Sequence, residues 1–334
     1  KYTDEVIENV DSYDFTSSYP YVMVSEKFPM STGVIVPIKS MKQFEFMTSK
    51  FCCVFDVEIT NIFAKSENEN PISVSKCFVK ENVSENNGRL VCAKKICMTI
   101  TEIDYKVFSQ FYTWEQIRIG RMICYRKEYL PTEFVESILH LYEMKTKLKG
   151  VKGKEVEYLN SKEMLNSCYG MCVTNPLRDE ILCDGEMWDV EHLTGEKQLE
   201  MLNKYNDSKN RFLFYPWGIY VTAYARRNLF TGISECGDDY IYSDTDSVKI
   251  MNGDAHKDYF KVYNDLAQQK LRAACKFHKI PFEKVEPVTI KGIAKPLGVW
   301  DYEGRYARFK TLGAKRYMVE EENALTVNGK DYNY

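Results

Sequence analysis

Two short segments of the sequence place carboxylate groups where they could hold metal ions. Asp244 and Asp246 stand two residues apart in a polar turn, and the apolar residues on both sides predict a hairpin over residues 239–250. Asp14 lies at the end of a short predicted strand and precedes a second polar turn. Two divalent ions about 3.5–4 Å apart need carboxylates from separate elements to bridge them. Asp14 and Asp246 could form such a site if their strands are neighbours, and their hard oxygens favour Mg²⁺.

A pair of acidic residues in a turn is a weak signal by itself, because such side chains commonly hydrogen-bond the turn backbone. A calcium-binding loop is a second alternative, but no further Asp, Asn or Gly follows at the required offsets. Val248 and Ile250 resume a strand instead. The context therefore favours a rigid carboxylate platform between two apolar strands.

Basic residues are concentrated at the end of the first long predicted helix. Thr132 is its predicted N-cap, because Phe134, Ile138 and Leu141 follow at helical spacing. The lysines near its end are Lys145, Lys147, Lys149, Lys152 and Lys154. Two interpretations stay open: the lysines complement the helix dipole in solvent, or they bind phosphate groups.

A second helix is predicted from near Glu155. On it, Lys162, Asn166 and Tyr169 are spaced i, i+4 and i+7, so they share one face. Further along the chain, residues 304–317 interleave basic and aromatic side chains, a pattern typical of a track along a nucleic-acid backbone. An exposed edge hairpin protected by charges has the same pattern.

The composition bounds the class of protein. Apolar residues make up 44% and charged residues 28% of the 334 residues, which indicates a globular chain rather than a disordered one. The net charge of −3 argues against binding nucleic acid through bulk charge, although local basic tracks remain compatible with it. No segment has 18 successive apolar residues, so no membrane association is expected. The 11 cysteines include no C-x-x-C pair, which argues against a zinc site and favours the cytoplasm.

The remaining elements are predicted more coarsely. Residues 25–130 are expected to be strands and loops, and their polar connection at 66–87 suggests an insertion with its own small sheet. Residues 174–215 are expected to be loop-rich. An aromatic helix is predicted over 221–230, and successive β-hairpins are predicted over 304–334.

Three segments resemble, in the family's order, motifs A, B and C of family B DNA polymerases. They are DFTSSYP at 14–20 (motif A, D-x-x-S-L-Y-P), KEMLNSCYG at 162–170 (motif B, K-x-x-x-N-S-x-Y-G) and YSDTDS at 242–247 (motif C, Y-x-D-T-D-S). Residues 222–226 are similar to the family's T-x-x-A/G-R motif, and residues 315–317 to its K-x-Y motif. Three motifs in order are a far stronger signal than any one of them.

The resemblance implies an α+β fold with a right-hand polymerase palm, which is an antiparallel sheet with helices, together with helical-hairpin fingers. Two long segments resemble the insertions of the protein-primed subgroup, which replicates linear phage genomes and linear plasmids. The implied domains are palm at 1–24, a first insertion at 25–131, fingers at 132–173, a second insertion at 174–215 and palm again at 216–334. The chain begins with Lys1, and we expect it to be a piece of a longer polymerase without the exonuclease and the thumb.

The resemblance also implies a role for each matching residue. The implied catalytic residues are Asp14, Asp244 and Asp246. Two Mg²⁺ ions, for which Mn²⁺ can substitute, would be bound by Asp14, Asp246 and the carbonyl of Phe15. The implied nucleotide-binding residues are Phe15, Ser17, Ser18, Tyr19, Lys145, Lys149, Lys162, Asn166 and Tyr169. The implied DNA-binding residues are Thr222, Arg226, Lys315 and Tyr317. Tyr19 would also exclude a 2′-hydroxyl, and Ser18 and Ser243 are small departures from the usual motifs.

The implied function is that of a DNA-directed DNA polymerase core that extends a primer from dNTPs by a two-metal mechanism, in protein-primed replication of a linear viral or plasmid genome. The expected partners are a DNA template–primer, dNTPs and a terminal protein primer, and the chain is expected to act as a monomer, in the host cytoplasm if it is viral. The main alternative is a catalytically idle polymerase-like module that binds nucleic acid or protein, and reverse transcriptase is a weaker one. Asp56 and Glu58 match the D-x-E of an exonuclease, but we interpret them as part of an ordinary insertion strand.

Overall fold

The computed structural model describes residues 5–66, 69–185, 187–209, 214–313, 315–321 and 324–328. Its strands are β1 (Ile7–Phe15), β2 (Phe28–Pro29), β3 (Val34–Val36), β4 (Cys52–Ala64), β5 (Val79–Asn86), β6 (Arg89–Thr101), β7 (Tyr112–Tyr125), β8 (Lys127–Glu128), β9 (Glu180–Asp184), β10 (Met187–Glu191), β11 (Tyr240–Asp244), β12 (Ser247–Ile250), β13 (Trp300–Gly313), β14 (Arg316–Glu321) and β15 (Ala324–Asn328). Its helices are α1 (Ser18–Ser25), α2 (Met41–Lys50), α3 (Glu102–Phe111), α4 (Thr132–Leu148), α5 (Glu155–Cys172), α6 (Gly195–Asp207), α7 (Tyr215–Cys236) and α8 (Gly253–His278).

The main sheet has six strands in the order β11-β12-β1-β13-β14-β15, and every neighbouring pair in it is antiparallel. The neighbours of Asp14 on β1, Tyr13 and Phe15, are both buried aromatic residues. Because successive side chains of a strand point to opposite faces, both rings lie on the face opposite to Asp14. Tyr13 stacks on Phe260 of α8, with ring centroids 3.9 Å apart. Phe15 meets Trp300 edge-on at 5.0 Å. Aromatic packing therefore fixes the strand on which Asp14 lies.

The long helix α7 connects the sheet to its surroundings through two adjacent arginines that bind different elements. The Arg227 guanidinium donates to Glu26, the C-cap of α1, at 2.7 Å. Lys270 of α8 donates to the same carboxylate at 2.6 Å. The Arg226 guanidinium donates instead to Asp104 of α3 at 2.8 Å. Ion pairs to largely buried carboxylates thus hold α1 and α3 against α7.

The first predicted insertion does contain its own sheet, in the strand order β3-β7-β4-β6-β5. Alternate residues of β4 are buried, which is the pattern of a strand with one face on a core. Asp56 accepts a hydrogen bond from Thr99 at 2.6 Å, and Glu58 forms ion pairs with Lys95 and Arg118. These contacts agree with our interpretation of the D-x-E segment as an ordinary strand.

The predicted helical hairpin consists of α4 and α5, which pack against each other. The second helix begins at Glu155 as predicted, but Thr132 is not the N-cap of the first. Pro131 occupies the cap position, and the Thr132 hydroxyl lies 2.9 Å from Nδ1 of His278. A tertiary hydrogen bond to α8 has therefore replaced the expected local cap.

Other predicted elements differ from those observed. Residues 174–215 are not mainly loops, because β9, β10 and α6 occupy much of this segment. The aromatic helix extends from Tyr215 to Cys236, well beyond 221–230, and α8 was not predicted. The predicted hairpins of the tail are present as β13, β14 and β15, while residues 314, 322–323 and 329–334 lie outside the described part.

Among the described helices, none is both long enough and apolar enough to cross a membrane.

Gly298 links β13 to the turn after β1, and it provides a test of this packing. Its N–H donates to the carbonyl of Thr16 at 2.9 Å, its φ is +73°, and a Cβ would lie 1.9 Å from the buried ring of Tyr21. Gly298→Ala is expected to lower the free energy of unfolding by at least about 2 kcal/mol, because steric overlap adds to backbone strain.

Gly292→Ala is the matched control for this measurement by chemical denaturation. Gly292 has a similar φ of +76°, but no atom lies within 4 Å of its Cβ position. This variant should lose only the backbone contribution of about 1 kcal/mol. Equal losses for the two alanine variants would contradict the assigned role of the Tyr21 contact.

Candidate active site

The two predicted carboxylate platforms meet because β1 and β12 are antiparallel neighbours in the six-stranded sheet. Asp14 is the register partner of Ser247, and the Phe15 N–H donates to the carbonyl of Asp246 at 2.7 Å. The intervening turn is tight: Thr245 has a φ of +56°, and the Asp246 N–H donates to the carbonyl of Asp244 at 2.6 Å. The condition set by the sequence, that the strands be neighbours, is met.

The electrostatics of these carboxylates indicate a site for positive charge. Burial raises the pKa of Asp14 to about 7, and the negative charge of Asp246 adds to the rise. Burial also raises the pKa of Asp246, and Asp244 acts in the same direction. Two desolvated carboxylates that repel each other are stabilised by a cation, and their hard oxygens suit Mg²⁺.

The donor set at this position is two carboxylates and main-chain oxygen. In the described part of the chain, no group of three or more His, Cys, Asp or Glu side chains is arranged to hold a metal ion. The Phe15 side chain is buried against Tyr21 and Trp300, so only its backbone is available to the site. The assignment of Asp14, Asp246 and the Phe15 carbonyl as metal ligands therefore stays a prediction.

The turn after β1 leads directly into the N-terminus of α1. Ser17 adopts the left-handed conformation (φ 54°, ψ 64°) at the N-cap of the helix, and the N–H groups of the first turn are the positive end of the helix dipole. The Ser17 hydroxyl accepts a hydrogen bond from the Lys145 ammonium at 3.0 Å. The end of α4 therefore reaches the turn after β1.

Three of the predicted phosphate-binding lysines are close enough to influence one another. Burial lowers the pKa of Lys145, and the positive charges of Lys162 and Lys149 lower it further. The carboxylates of Asp14 and Asp246 oppose this effect. Lys162 and Lys149 are exposed, whereas Lys145 is half-buried. Lys145 is thus the lysine that directly contacts the turn, which the sequence could not decide.

The predicted nucleotide-binding tyrosines are brought together. The rings of Tyr19 on α1 and Tyr169 on α5 have centroids 4.7 Å apart at an interplanar angle of 56°. Ser18 is buried beside Tyr19, and Asn166 is exposed on α5 one turn before Tyr169. Burial raises the pKa of Tyr19, and the charge of Asp246 adds to the rise, which places this phenol close to the carboxylates.

The predicted DNA-binding residues of the K-x-Y segment lie beside the D-x-D turn. The Lys315 ammonium donates to Asp244 at 3.0 Å, and the Lys315 N–H donates to the hydroxyl of Tyr242 at 2.9 Å. The half-buried ring of Tyr317 stacks on Phe309 at 5.5 Å and also contacts Tyr242. Lys315 therefore places a positive charge against Asp244, while Tyr317 packs against Tyr242 in the strand that precedes the D-x-D turn.

The two predicted DNA-binding residues of α7 differ in their surroundings. The Thr222 hydroxyl donates to the carbonyl of Ile219 within its own helix at 2.9 Å. Arg226 forms its ion pair with Asp104 of the first insertion. No local pattern predicts this partner, which is more than one hundred residues earlier in the chain.

Sequence reasoning missed Lys249, whose side chain is only 3% exposed. Its ammonium donates to the Ser12 hydroxyl at 2.6 Å and lies 3.6 Å from Glu303. Burial lowers the pKa of Lys249, while the charges of Glu303 and Asp14 oppose the change. The available signal was a lysine between two apolar residues of the strand that follows the D-x-D turn.

Comparisons with known proteins agree with these motifs. The family described as "DNA polymerase type B, organellar and viral" matches residues 1–247. The DNA polymerase of Bacillus phage B103 is 24% identical over 99% of the chain and 48% of its own length. That of Bacillus phage phi29 is 26% identical over 52% of the chain. The chain spans about half the length of the curated relatives that match nearly all of it.

Solved structures show the same fold. A phi29 DNA polymerase complexed with primer-template DNA and incoming nucleotide substrates is similar over 100% of the chain and 52% of its own, with a TM-score of 0.62 and 16% identity. The same polymerase with primer-template DNA alone gives a TM-score of 0.63. These similarities confirm the predicted α+β fold class.

The raised pKa of Asp14 predicts how the stability of the metal-free chain depends on pH. Because the pKa in the folded chain is about 7 and the ordinary value is 3.8, the folded state binds more protons than the unfolded state between these values. The free energy of unfolding should therefore decrease as pH rises through this window. Asp14→Asn should remove part of that decrease, and Mg²⁺ should restore stability to the unsubstituted chain near neutral pH.

Thermal melting in the presence of a chelator, at intervals from about pH 4.5 to pH 8, tests this prediction. The unsubstituted chain and Asp14→Asn are compared at each pH, with and without added Mg²⁺. Melting temperatures that change in parallel for the two chains would show that Asp14 does not titrate in this range.

Proposed function

The chain belongs to the organellar and viral type B DNA polymerase family, and we propose that it forms the core of a DNA-directed DNA polymerase that transfers nucleotides from dNTPs to a primer hydroxyl. The observation that carries this proposal is the meeting of Asp14 and Asp246 beside the N-terminus of α1 and Lys145. A paired-carboxylate site next to a phosphate-binding helix start is what nucleotidyl transfer requires.

Asp14, Asp246 and the carbonyl of Phe15 would hold two Mg²⁺ or Mn²⁺ ions. When bound, such ions lower the pKa of the attacking hydroxyl and neutralise charge on the phosphates. The raised pKa values of Asp14 and Asp246 support this assignment, because a bound cation would stabilise their ionised forms. Lys315 would orient Asp244 through its hydrogen bond to that carboxylate.

The residues of the turn and of the helical hairpin would bind the incoming nucleotide. The N–H groups at Ser18 and Tyr19 would donate hydrogen bonds to the triphosphate, with Lys145 adding positive charge from α4. Lys162 and Lys149 would contribute further charge from the same end of the hairpin. Phosphoryl transfer depends chiefly on such positioning and charge neutralisation. The adjacent Tyr19 and Tyr169 rings would form the surface under the base and the sugar, with Asn166 beside them.

The substrates and setting follow from the same proposal. Thr222 and Arg226 would face the template, and Lys315 and Tyr317 the primer end. The polymerases named above come from Bacillus phages, which supports replication of a viral genome in the host cytoplasm. A terminal protein primer, monomeric action and the division into palm, fingers and two insertions complete the proposal. The catalytically idle alternative is not favoured, because Asp14, Asp244, Asp246 and Lys145 are all present and mutually close.

Asp246→Asn should abolish Mg²⁺-dependent primer extension. The substitution preserves shape but removes one charge, so extension is expected to fall by about 10²–10³-fold or more, as when a group that stabilises the transition state is removed. Folding should not suffer, because the lost charge is a desolvated one. The measurement is single-turnover extension of a labelled primer by the purified full chain.

Asp56→Asn is the control for this experiment, because Asp56 lies on β4, where it contacts the exposed side chains of Thr99 and Arg121. It should leave extension unchanged. Full extension by the Asp246→Asn chain would contradict the catalytic assignment.

Tyr19→Val should relax discrimination against ribonucleotides by about tenfold or more, because the smaller side chain leaves room for a 2′-hydroxyl. The measurement is the ratio of kcat/KM for dNTP and rNTP substrates. Tyr158→Val, on the same helix as Tyr169 but outside the proposed pocket, is the control and should not alter the ratio. An unchanged ratio in Tyr19→Val would place the discriminating residue elsewhere.

A further inference from the structure

The first insertion contacts the proposed polymerase site through Asp104 on α3, whose side chain is 7% exposed. The two carboxylate oxygens have different partners. Oδ2 accepts hydrogen bonds from the hydroxyl and the N–H of Thr101, which completes the capping box of α3. Oδ1 accepts a hydrogen bond from Nε of Arg226 at 2.8 Å. Only the second contact leaves the insertion.

Arg226 in turn lies within electrostatic reach of Tyr19 and Tyr169, the two tyrosines proposed to bind the nucleotide. Burial raises the pKa of Tyr19 and that of Tyr169, and the positive charge of Arg226 opposes both increases. Asp104 uses only the Nε–H of the guanidinium, and within the described residues its terminal nitrogens have no hydrogen-bond partner. These nitrogens remain able to bind the phosphodiester backbone of a template strand.

A second buried contact fixes the start of α3 relative to α7. Glu102, 1% exposed, accepts hydrogen bonds from the Tyr220 hydroxyl at 2.5 Å and from the Cys53 N–H at 3.0 Å. Lys127 lies 3.5 Å from its other oxygen. Tyr220 and Arg226 belong to the same helix, so Glu102 and Asp104 bind it at two points. The position of Asp104 is therefore set by the packing of the whole insertion.

We infer that Asp104 is a positioning residue, which holds the Arg226 guanidinium in the orientation that leaves its terminal nitrogens able to bind the template strand. The segment that carries α3 thereby takes part in holding the template. Without Asp104, the arginine would gain rotamer freedom and lose the orientation that a charge-assisted hydrogen bond imposes. This inference rests on the proposed polymerase function.

A double-mutant cycle with Asp104→Asn and Arg226→Gln tests the inference in the full chain. If Asp104 acts through Arg226, Asp104→Asn should lower kcat/KM for dNTPs by about tenfold, and the double variant should be no worse than Arg226→Gln alone. Thr101→Val is the matched control, because it removes the cap partner of Oδ2 and leaves Oδ1 free to bind Arg226. It should lower the melting temperature without changing kcat/KM. Additive effects in the cycle, or the same kinetic loss in Thr101→Val, would overturn the inference.

Two further arms keep the result decisive. If Asp104→Asn does not fold, Asp104→Glu replaces it. The longer side chain displaces the arginine, so a similar loss of kcat/KM is expected, and unchanged kinetics would refute the role.

The Kd for a labelled primer–template is measured for the four chains of the cycle: the unsubstituted chain, the two single variants and the double variant. If the unsubstituted chain binds DNA but does not extend it, the proposed activity fails, while a non-additive cycle in Kd still supports the inference. If it binds no primer–template, both fail.

Discussion

The burial of two neighbouring carboxylates at the ends of paired strands is the constraint on which the rest of the site depends. The hydrogen bond from the Phe15 N–H to the Asp246 carbonyl fixes the backbones of β1 and the D-x-D turn together. Asp14 and Asp246 therefore cannot move apart. Burial raises the pKa values of both carboxyl groups, and the charge of Asp246 adds to the rise for Asp14. A bound cation would stabilise the ionised forms of such a buried pair.

The positive charges that surround these carboxylates come from three separate parts of the chain. Lys145 arrives from the end of α4, Lys249 from the strand beside β1, and Lys315 from the turn before β14. Lys145 donates a hydrogen bond to Ser17, Lys249 to Ser12 and Lys315 to Asp244. These three lysines therefore lie near Asp14 and Asp246 without donating a hydrogen bond to either carboxylate. The net charge of −3 conceals this local arrangement, because opposite charges are sorted in space rather than in the composition.

The adjacent arginines of α7 connect this site to the rest of the fold. Arg227 binds Glu26 at the end of α1, whose other end adjoins the turn after β1, and Arg226 binds Asp104 of α3. Removing one member of a buried ion pair leaves an uncompensated charge and is strongly destabilising. Changes in α7 are therefore expected to affect α1, α3 and the Tyr19–Tyr169 pair together.

The sequence by itself determined the residues that can do chemistry and the hairpin that presents Asp244 and Asp246, because side-chain type, strand alternation and turn composition are local properties. It also specified the helix face of Lys162, Asn166 and Tyr169. It did not determine that Lys145 contacts Ser17, that Lys249 is buried beside the carboxylates, or that Asp104 holds Arg226. It also misplaced the cap of α4 and missed α8. These features depend on contacts between residues far apart in the chain, which sheet order and helix packing decide and no local pattern records.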